Sequence, residues 1–199
     1  MTSLNKKPLT ILSLIIALTL GHNSALTYAK ERIEDTAMDF SAASYDKLEH
    51  ANDKIETIRE ETRKQEKKKY IAANQREVKC LADNIYYEAG HEPTRGKIAV
   101  AGVTINRVKN SKFPKTVCSV VYQRTNRTCQ FSWTCMRNSR PHPVVYAEAK
   151  KIAEKVLTAE IQTTKVVPRD VLFYHADYVN PRWGMDRYTK IGRHIFYVG

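Results

Sequence analysis

Glu88 closes the segment Cys80-Leu81-Ala82-Asp83-Asn84-Ile85-Tyr86-Tyr87-Glu88, and Ala89-Gly90-His91-Glu92-Pro93 follows it. The apolar spacing of this run is helical, and the glycine and proline stop the helix just past the acid. A carboxyl held against aromatic rings at a helix end is poorly hydrated, which raises its pKa and keeps it protonated near neutral pH. Such a group can donate a proton to the bridging oxygen of an acetal, the chemistry of glycosidic bond cleavage. The plainer reading is a solvated acid with ordinary titration. Tyr86 and Tyr87 are adjacent on a helix and cannot both face a cleft, so Tyr87 is the candidate contact and Tyr86 the core residue.

Hydrolysis of a glycosidic bond ordinarily uses two carboxylates. The remaining candidates for a second one are Glu92, Asp83, Asp177 and Asp186. Glu92 precedes Pro93 and suits the start of the next helix, where a carboxylate complements the dipole. Gln130, Phe131 and Trp133 lie between two cysteines, and amide and aromatic side chains there suit sugar recognition. Phe131 fits the domain's own core better. Tyr174, His175 and Trp183 are further cleft candidates, although a lone histidine on a strand, such as His175 or His194, is more often a satisfied structural group. No Gly-x-Ser-x-Gly elbow is present, which argues against a serine nucleophile.

The elements that must position these groups follow from the pattern. Residues 30–76 are charged and carry only a thin apolar stripe, Leu48, Ala51, Ile55 and Ile58, so they read as a solvated helical arm. Residues 77–199 have the texture of a globular domain. A helix over residues 76–89 is followed by one over 94–109 that is apolar nearly all round and therefore central. Asn106 and Arg107 at its end need hydrogen-bond partners in neighbouring loops. A short apolar turn spans 117–123, a polar loop 124–142, and Pro143 opens a further helix. Residues 171–175 and 193–197 read as two strands. The expected fold is α+β, mainly helical, with a small two-stranded element near the C-terminus.

Residues 1–29 differ again. Lys6 and Lys7 precede an apolar run from Leu9 to Gly21, which is short of the ~20 apolar residues a span requires. With Thr27-Tyr28-Ala29 as a small-x-small site, the segment reads as a cleaved signal peptide. An uncleaved anchor is the rival, and it would provide membrane contact through the N-terminus. The chain carries +12, and removal of the two leader lysines leaves +10. An exported protein with that charge is drawn to anionic wall polymer or lipid headgroups rather than to nucleic acid.

Cys80, Cys118, Cys129 and Cys135 form an even set in an exported chain and read as two disulfides. Of three connectivities, Cys129–Cys135 with Cys80–Cys118 is preferred because the first closes a short loop. Zinc is the competing reading, but neither C-x2-C nor H-x3-5-H spacing occurs, so no metal and no cofactor are expected.

Taken in order, seven blocks resemble the SleB/CwlJ-type cell wall hydrolases, a family of spore-cortex-lytic enzymes also found in Gram-negative bacteria and phages. The blocks are Ile85-Tyr86-Tyr87-Glu88-Ala89, Gly96-Lys97-Ile98-Ala99-Val100-Ala101, Asn106-Arg107-Val108, Phe113-Pro114-Lys115-Thr116-Val117-Cys118, Gln130-Phe131-Ser132-Trp133, Phe173-Tyr174-His175-Ala176 and Gly192-Arg193-His194-Ile195-Phe196-Tyr197. The resemblance covers residues 77–198. It implies a lysozyme-like catalytic domain, Glu88 as the catalytic acid, and peptidoglycan glycan strands as substrate. It also points to lytic transglycosylation, in which one carboxylate serves as acid and then as base. The family usually reads Glu-Ala-Arg-Gly-Glu-Pro, whereas this chain has Gly90 and His91 after Ala89, so any role of that arginine is in doubt here. A hydrolysing muramidase and a non-catalytic wall-binding envelope protein are the alternatives. A phage endolysin and a bacterial remodelling enzyme would share the chemistry, and a monomer is expected.

Overall fold

The computed structural model describes residues 9–199 except 127, 138 and 139, and describes no side chains for residues 9–25, 37, 40 and 43. The first eight residues of the expected leader, and the side chains of its apolar run, therefore lie outside the described residues. Helix α1 runs from Leu9 to Ala73 without a break at the leader boundary. Its charges pair along the surface, Glu56 with Arg59 at 3.6 Å and Glu60 with Arg63 at 3.3 Å. Each such pair adds a few tenths of a kcal/mol to a helix, about 0.2–0.5. Leu48, Ile55 and Ile58 of the thin stripe stay exposed. Two compact units divide within this helix, at Arg63/Lys64. No helix among the described residues is long and apolar enough to cross a membrane.

In the second unit, α2 (Gln75–Ala89) buries Val78, Leu81, Ala82, Ile85 and Ala89, which recur at helical spacing. Helix α3 (Thr94–Lys109) is buried on most sides. Gly102 lies so close to Val167 and Thr163 that a methyl group there would collide with them. The short helix α4 (Val117–Val121) is capped by Thr116, whose hydroxyl accepts from the Ser119 N–H at 3.1 Å. The Glu77 carboxylate accepts from the Val117 N–H at 2.7 Å, an anion where α4's amides are unpaired. A disulfide joins Cys80 of α2 to Cys118 of α4.

The polar loop holds a two-strand ribbon, β1 (Arg124–Thr125) with β2 (Thr128–Cys129), and a 3-10 turn over Ser132–Cys135. The second disulfide, Cys129–Cys135, closes it. This is the connectivity the short loop favours, and it removes all four thiols from metal binding. Helix α5 opens with Pro143 at its first turn and ends at Leu157. Ala149, Ile152, Ala153 and Val156 line its buried side.

The tail contains three strands rather than two. They are β3 (Val171–Ala176), β4 (Arg187–Ile191) and β5 (His194–Val198), antiparallel in the order β3-β5-β4. The sequence hides β4 because it is an edge strand: Arg187, Tyr188 and Lys190 are exposed and only Ile191 is buried. Gly192, at φ +58°, makes the β4–β5 turn. The fold is thus α+β and mainly helical, with the small sheet C-terminal, as expected.

Helix α3 is the common wall of two apolar clusters. One gathers α2, α4, α5, Phe131 and Trp133. The other joins Ala99 and Val103 of α3 to Val167, Val171, Ile191 and Phe196. Tyr174 packs against both. The Cys80–Cys118 bridge closes a loop across a separation of 38 residues. Replacing both cysteines by alanine should lower unfolding free energy by about 2–4 kcal/mol. Urea unfolding against the Cys129/Cys135 double variant, whose loop is shorter, should show the larger loss for Cys80/Cys118.

Candidate active site

Glu88 occupies the last turn of α2 and faces β3. The Tyr174 hydroxyl donates to its Oε2 at 3.2 Å. Burial raises the Glu88 pKa, while the Tyr174 hydroxyl, the Arg107 guanidinium and the Trp133 indole pull it the other way. The net direction is upward, so desolvation outweighs three favourable partners.

The polar end of α3 fixes this arrangement. The Asn106 amide donates to the Pro168 and Val171 carbonyls at 2.7 and 3.0 Å. Arg107 Nε donates to the Leu172 carbonyl at 2.7 Å. These bonds hold the start of β3, and β3 carries Tyr174. Arg107 is 3% exposed, and its guanidinium lies 5.4–5.6 Å from the rings of Phe113, Phe131 and Phe173. Ring faces replace part of the lost hydration. Burial still lowers the Arg107 pKa, with Tyr174 and Glu88 opposing. Its Nη1 is buried without a hydrogen-bond partner.

Other sequence candidates divide between several places. Tyr87 stacks on Trp133 with ring centres 4.7 Å apart. Tyr86 turns to Tyr146 and accepts from the His142 N–H at 2.9 Å. Phe131 and Trp133 are both buried, and Phe131 packs under Arg107 as a core residue. Gln130 is exposed, and its backbone N–H donates to the Gln123 carbonyl at 2.9 Å. Strand alternation separates the C-terminal candidates. Tyr174 lies with His194 and Phe196, whereas His175 lies on the opposite face with Tyr197 and Trp183. His175 is satisfied at both nitrogens, by the Ala176 carbonyl at 2.8 Å and the Tyr197 hydroxyl at 2.9 Å. The carbonyl requires a proton on Nδ1, so the tyrosine donates to Nε2. The structure therefore brings Tyr174, Trp133 and, through it, Tyr87 to Glu88, and sets His175 and Trp183 on the other side of the sheet.

The other carboxylates are engaged elsewhere. Asp83 precedes Glu88 by five residues, about 140° around a helix, and points to α5. It is 5% exposed and accepts from Lys79 at 2.6 Å, the Tyr146 hydroxyl at 2.8 Å and the Tyr122 hydroxyl at 3.4 Å. Glu92 does not cap α3, where Pro93 holds the cap position. Its carboxylate accepts from the Arg193 N–H at 3.0 Å and lies 3.9 Å from His194, tying the β4–β5 turn to α3. Burial lowers the His194 pKa. Asp177 pairs with Lys190 at 2.8 Å, and Asp186 is exposed. Beside Asp83 lies a cavity of about 600 Å³ lined by Lys79, Tyr87, Tyr122, Trp133 and Tyr146 among others. The phenols at 122 and 146 carry no periodic or motif signal that would have marked them in the sequence.

A family model described as Cell Wall Hydrolase matches residues 91–197, more than half of the chain. The chain belongs to the cell wall hydrolase family. Arg107, Trp133 and Tyr174 fall inside the matched segment, and Glu88 stands three residues ahead of it. Similar proteins include the spore cortex-lytic enzymes of Bacillus cereus, 26% identical over 125 residues (62% of this chain and 44% of that one), and of Bacillus subtilis strain 168, 24% identical over 122 residues (60% and 37%). The chain thus matches less than half the length of these curated relatives. The crystal structure of the catalytic domain of the Bacillus cereus SleB protein is 28% identical, with a TM-score of 0.47 over 62% of this chain and 91% of that one.

In this member of the cell wall hydrolase family, the raised Glu88 pKa has a consequence for stability. A folded-state pKa above the unfolded value contributes stability below the unfolded pKa and loses it as pH rises through the folded pKa. Glu88→Gln removes that loss. Thermal unfolding should therefore show the variant at least as stable as the parent at pH 8, with its relative advantage shrinking towards pH 4. A variant clearly less stable at pH 8 would contradict the desolvated carboxyl.

Proposed function

We propose that this protein is an exported peptidoglycan-cleaving enzyme that cuts the β-1,4 bond between N-acetylmuramic acid and N-acetylglucosamine as a lytic transglycosylase. One observation carries the reading. Glu88 is desolvated and hydrogen-bonded by Tyr174, while Asp83, Glu92 and Asp177 are bound to other partners. The family assignment, the chain's +12 charge and the names of the spore cortex-lytic relatives support a wall polymer as substrate.

Protonated Glu88 donates its proton to the bridging oxygen, and the bond from that oxygen to C1 of the muramic sugar breaks. The sugar acquires oxocarbenium character. The Glu88 carboxylate, steadied by the Tyr174 hydroxyl and by the charge of Arg107, then accepts the proton of the muramic 6-hydroxyl as that oxygen attacks C1. The product is a 1,6-anhydro sugar, Glu88 is protonated again, and no water is consumed. Burial favours the protonated form of Glu88 before the step, and the phenol and guanidinium favour the anion after it.

Glu88→Gln should fold and release soluble fragments from purified sacculi at least about 100-fold more slowly, the range for a general acid. Full activity in that variant would end the assignment. Mass spectrometry of the parent's digest should find anhydro-muramic ends; reducing ends alone would make the enzyme a hydrolysing muramidase. Sedimentation with sacculi and no fragments would make it a binding protein. Tyr174→Phe removes a hydrogen bond that lowers the Glu88 pKa, so the acid should stay protonated to higher pH. The alkaline limb of the rate profile should shift upward, and an unmoved limb would remove Tyr174 from the acid's control.

A further inference from the structure

His194 has no part in the mechanism above, yet it packs against the phenol that holds Glu88. It opens β5 and pairs with Ala176 of β3, while Phe196 pairs with Tyr174. Tyr174 and His194 are therefore diagonal neighbours on one face of the sheet, a spacing that aromatic rings span. Their ring centres lie 5.3 Å apart with the planes at 88°. An imidazole is a costly packing residue in such a place. His194 is 7% exposed, and its Nδ1 is buried without a hydrogen-bond partner among the described residues. A polar atom left so calls for an explanation. Glu92 Oε1 lies 3.9 Å from that nitrogen, and Glu92 is itself held in place. It accepts from the Arg193 N–H at 3.0 Å and fills the space beside Gly192, where a methyl group would collide with it. The Asp177 N–H donates to the Arg193 carbonyl at 2.8 Å, so the backbone before His194 is fixed from two sides.

We infer that His194 is a positioning residue for the proposed cleavage: its imidazole, seated by Glu92 at the β4–β5 turn, supports the Tyr174 ring so that the phenol stays on Glu88. The bonds of Asn106 and Arg107 fix the backbone at the start of β3. They leave the Tyr174 ring to be set by its neighbours, Phe131, Phe196 and His194. The two phenylalanines belong to the apolar clusters. His194 is tied, through Glu92, to the connection between α2 and α3, four residues beyond Glu88. Both partners of the Glu88–Tyr174 bond are thereby referred to one stretch of chain. The charged groups facing His194 are Glu92, Asp177 and His175, and Asp177 is engaged by Lys190 at 2.8 Å and Arg193 at 3.7 Å. Burial favours the neutral imidazole. The inference rests on the glycan-cleaving reading and adds to it the residue that orients the acid's partner.

The test uses the full chain and two readouts: fragment release from purified sacculi across pH, and titration of the Glu88 carboxyl carbon followed by NMR. The Tyr174 hydroxyl lowers the Glu88 pKa, so a phenol that drifts should let that pKa rise. His194→Ala should slow release about two- to tenfold, the scale of one lost aromatic pair. It should also move the alkaline limb and the Glu88 titration upward. His194→Phe keeps a flat ring without a titrating nitrogen and should return both to the parent's values. In a Tyr174→Phe background, His194→Ala should shift neither further. Melting temperatures identify variants that have not folded; should His194→Ala be one, His194→Leu, which fills the space without a flat ring, carries the same expectation. Slower release with an unmoved limb and titration would make His194 a packing residue and overturn the inference, as would failure of the phenylalanine variant to restore them. If the unsubstituted protein releases glycan fragments in the same assay, the cleavage reading stands regardless. Should it release none, the cleavage reading falls and the positioning role falls with it.

Discussion

Holding one carboxyl away from water is the constraint around which this domain is organised. Desolvation alone would raise the Glu88 pKa further and favour its neutral form. The chain answers with a phenol, a guanidinium and an indole drawn from β3, α3 and the stapled loop. None of these is near Glu88 in sequence. Each must be brought there by an element whose own position is fixed, so the packing of the whole second unit is a condition of the acid's behaviour.

Helix α3 does most of that fixing. Its middle is small and apolar: Ala101 joins the first cluster, Ala99 and Val103 join the second, and Gly102 allows close approach of Val167 and Thr163. Its end carries Asn106 and Arg107, whose buried bonds to the Pro168, Val171 and Leu172 carbonyls set the start of β3. A displacement there would reach Glu88 through Tyr174, two residues further along the strand. Arg107 thus combines two tasks. Its Nε anchors the strand, and its charge offsets part of the penalty that burial places on Glu88. The three phenylalanines around it make that charge tolerable in a site with little water.

The helices were legible because their periodicity is strong and their punctuation local. Gly90, Pro93 and Pro143 fall at the observed ends or starts. The need of Asn106 and Arg107 for loop partners could also be read, since polar groups on a helix buried all round must be satisfied. What escaped was decided by tertiary contacts. Strand β4 has an edge strand's polar exposure and no alternation to mark it. Glu92 was expected to serve its own helix, but the Arg193 N–H, distant in sequence, binds it instead. His175 and Trp183 seemed equivalent to Tyr174 by proximity, yet the two-residue period of a strand puts neighbours on opposite faces.

The chain contains 21 acidic residues, and composition cannot say which one does chemistry. Exposed Glu160 and half-buried Asp177 have their pKa values lowered, first by hydrogen bonds from Lys67 and Lys190. Glu88 moves the other way because burial is its largest influence. Asp83 is more fully buried than Glu88, but the 140° that separates the two on α2 delivers it to an ammonium and two phenols. One helix therefore presents a buried and a half-buried carboxylate to two environments. Glu88 accepts from a phenol and feels the charge of a guanidinium. Asp83 is engaged by donors from α2, α5 and the residue after α4. Helical pitch, rather than residue type, assigns them different work.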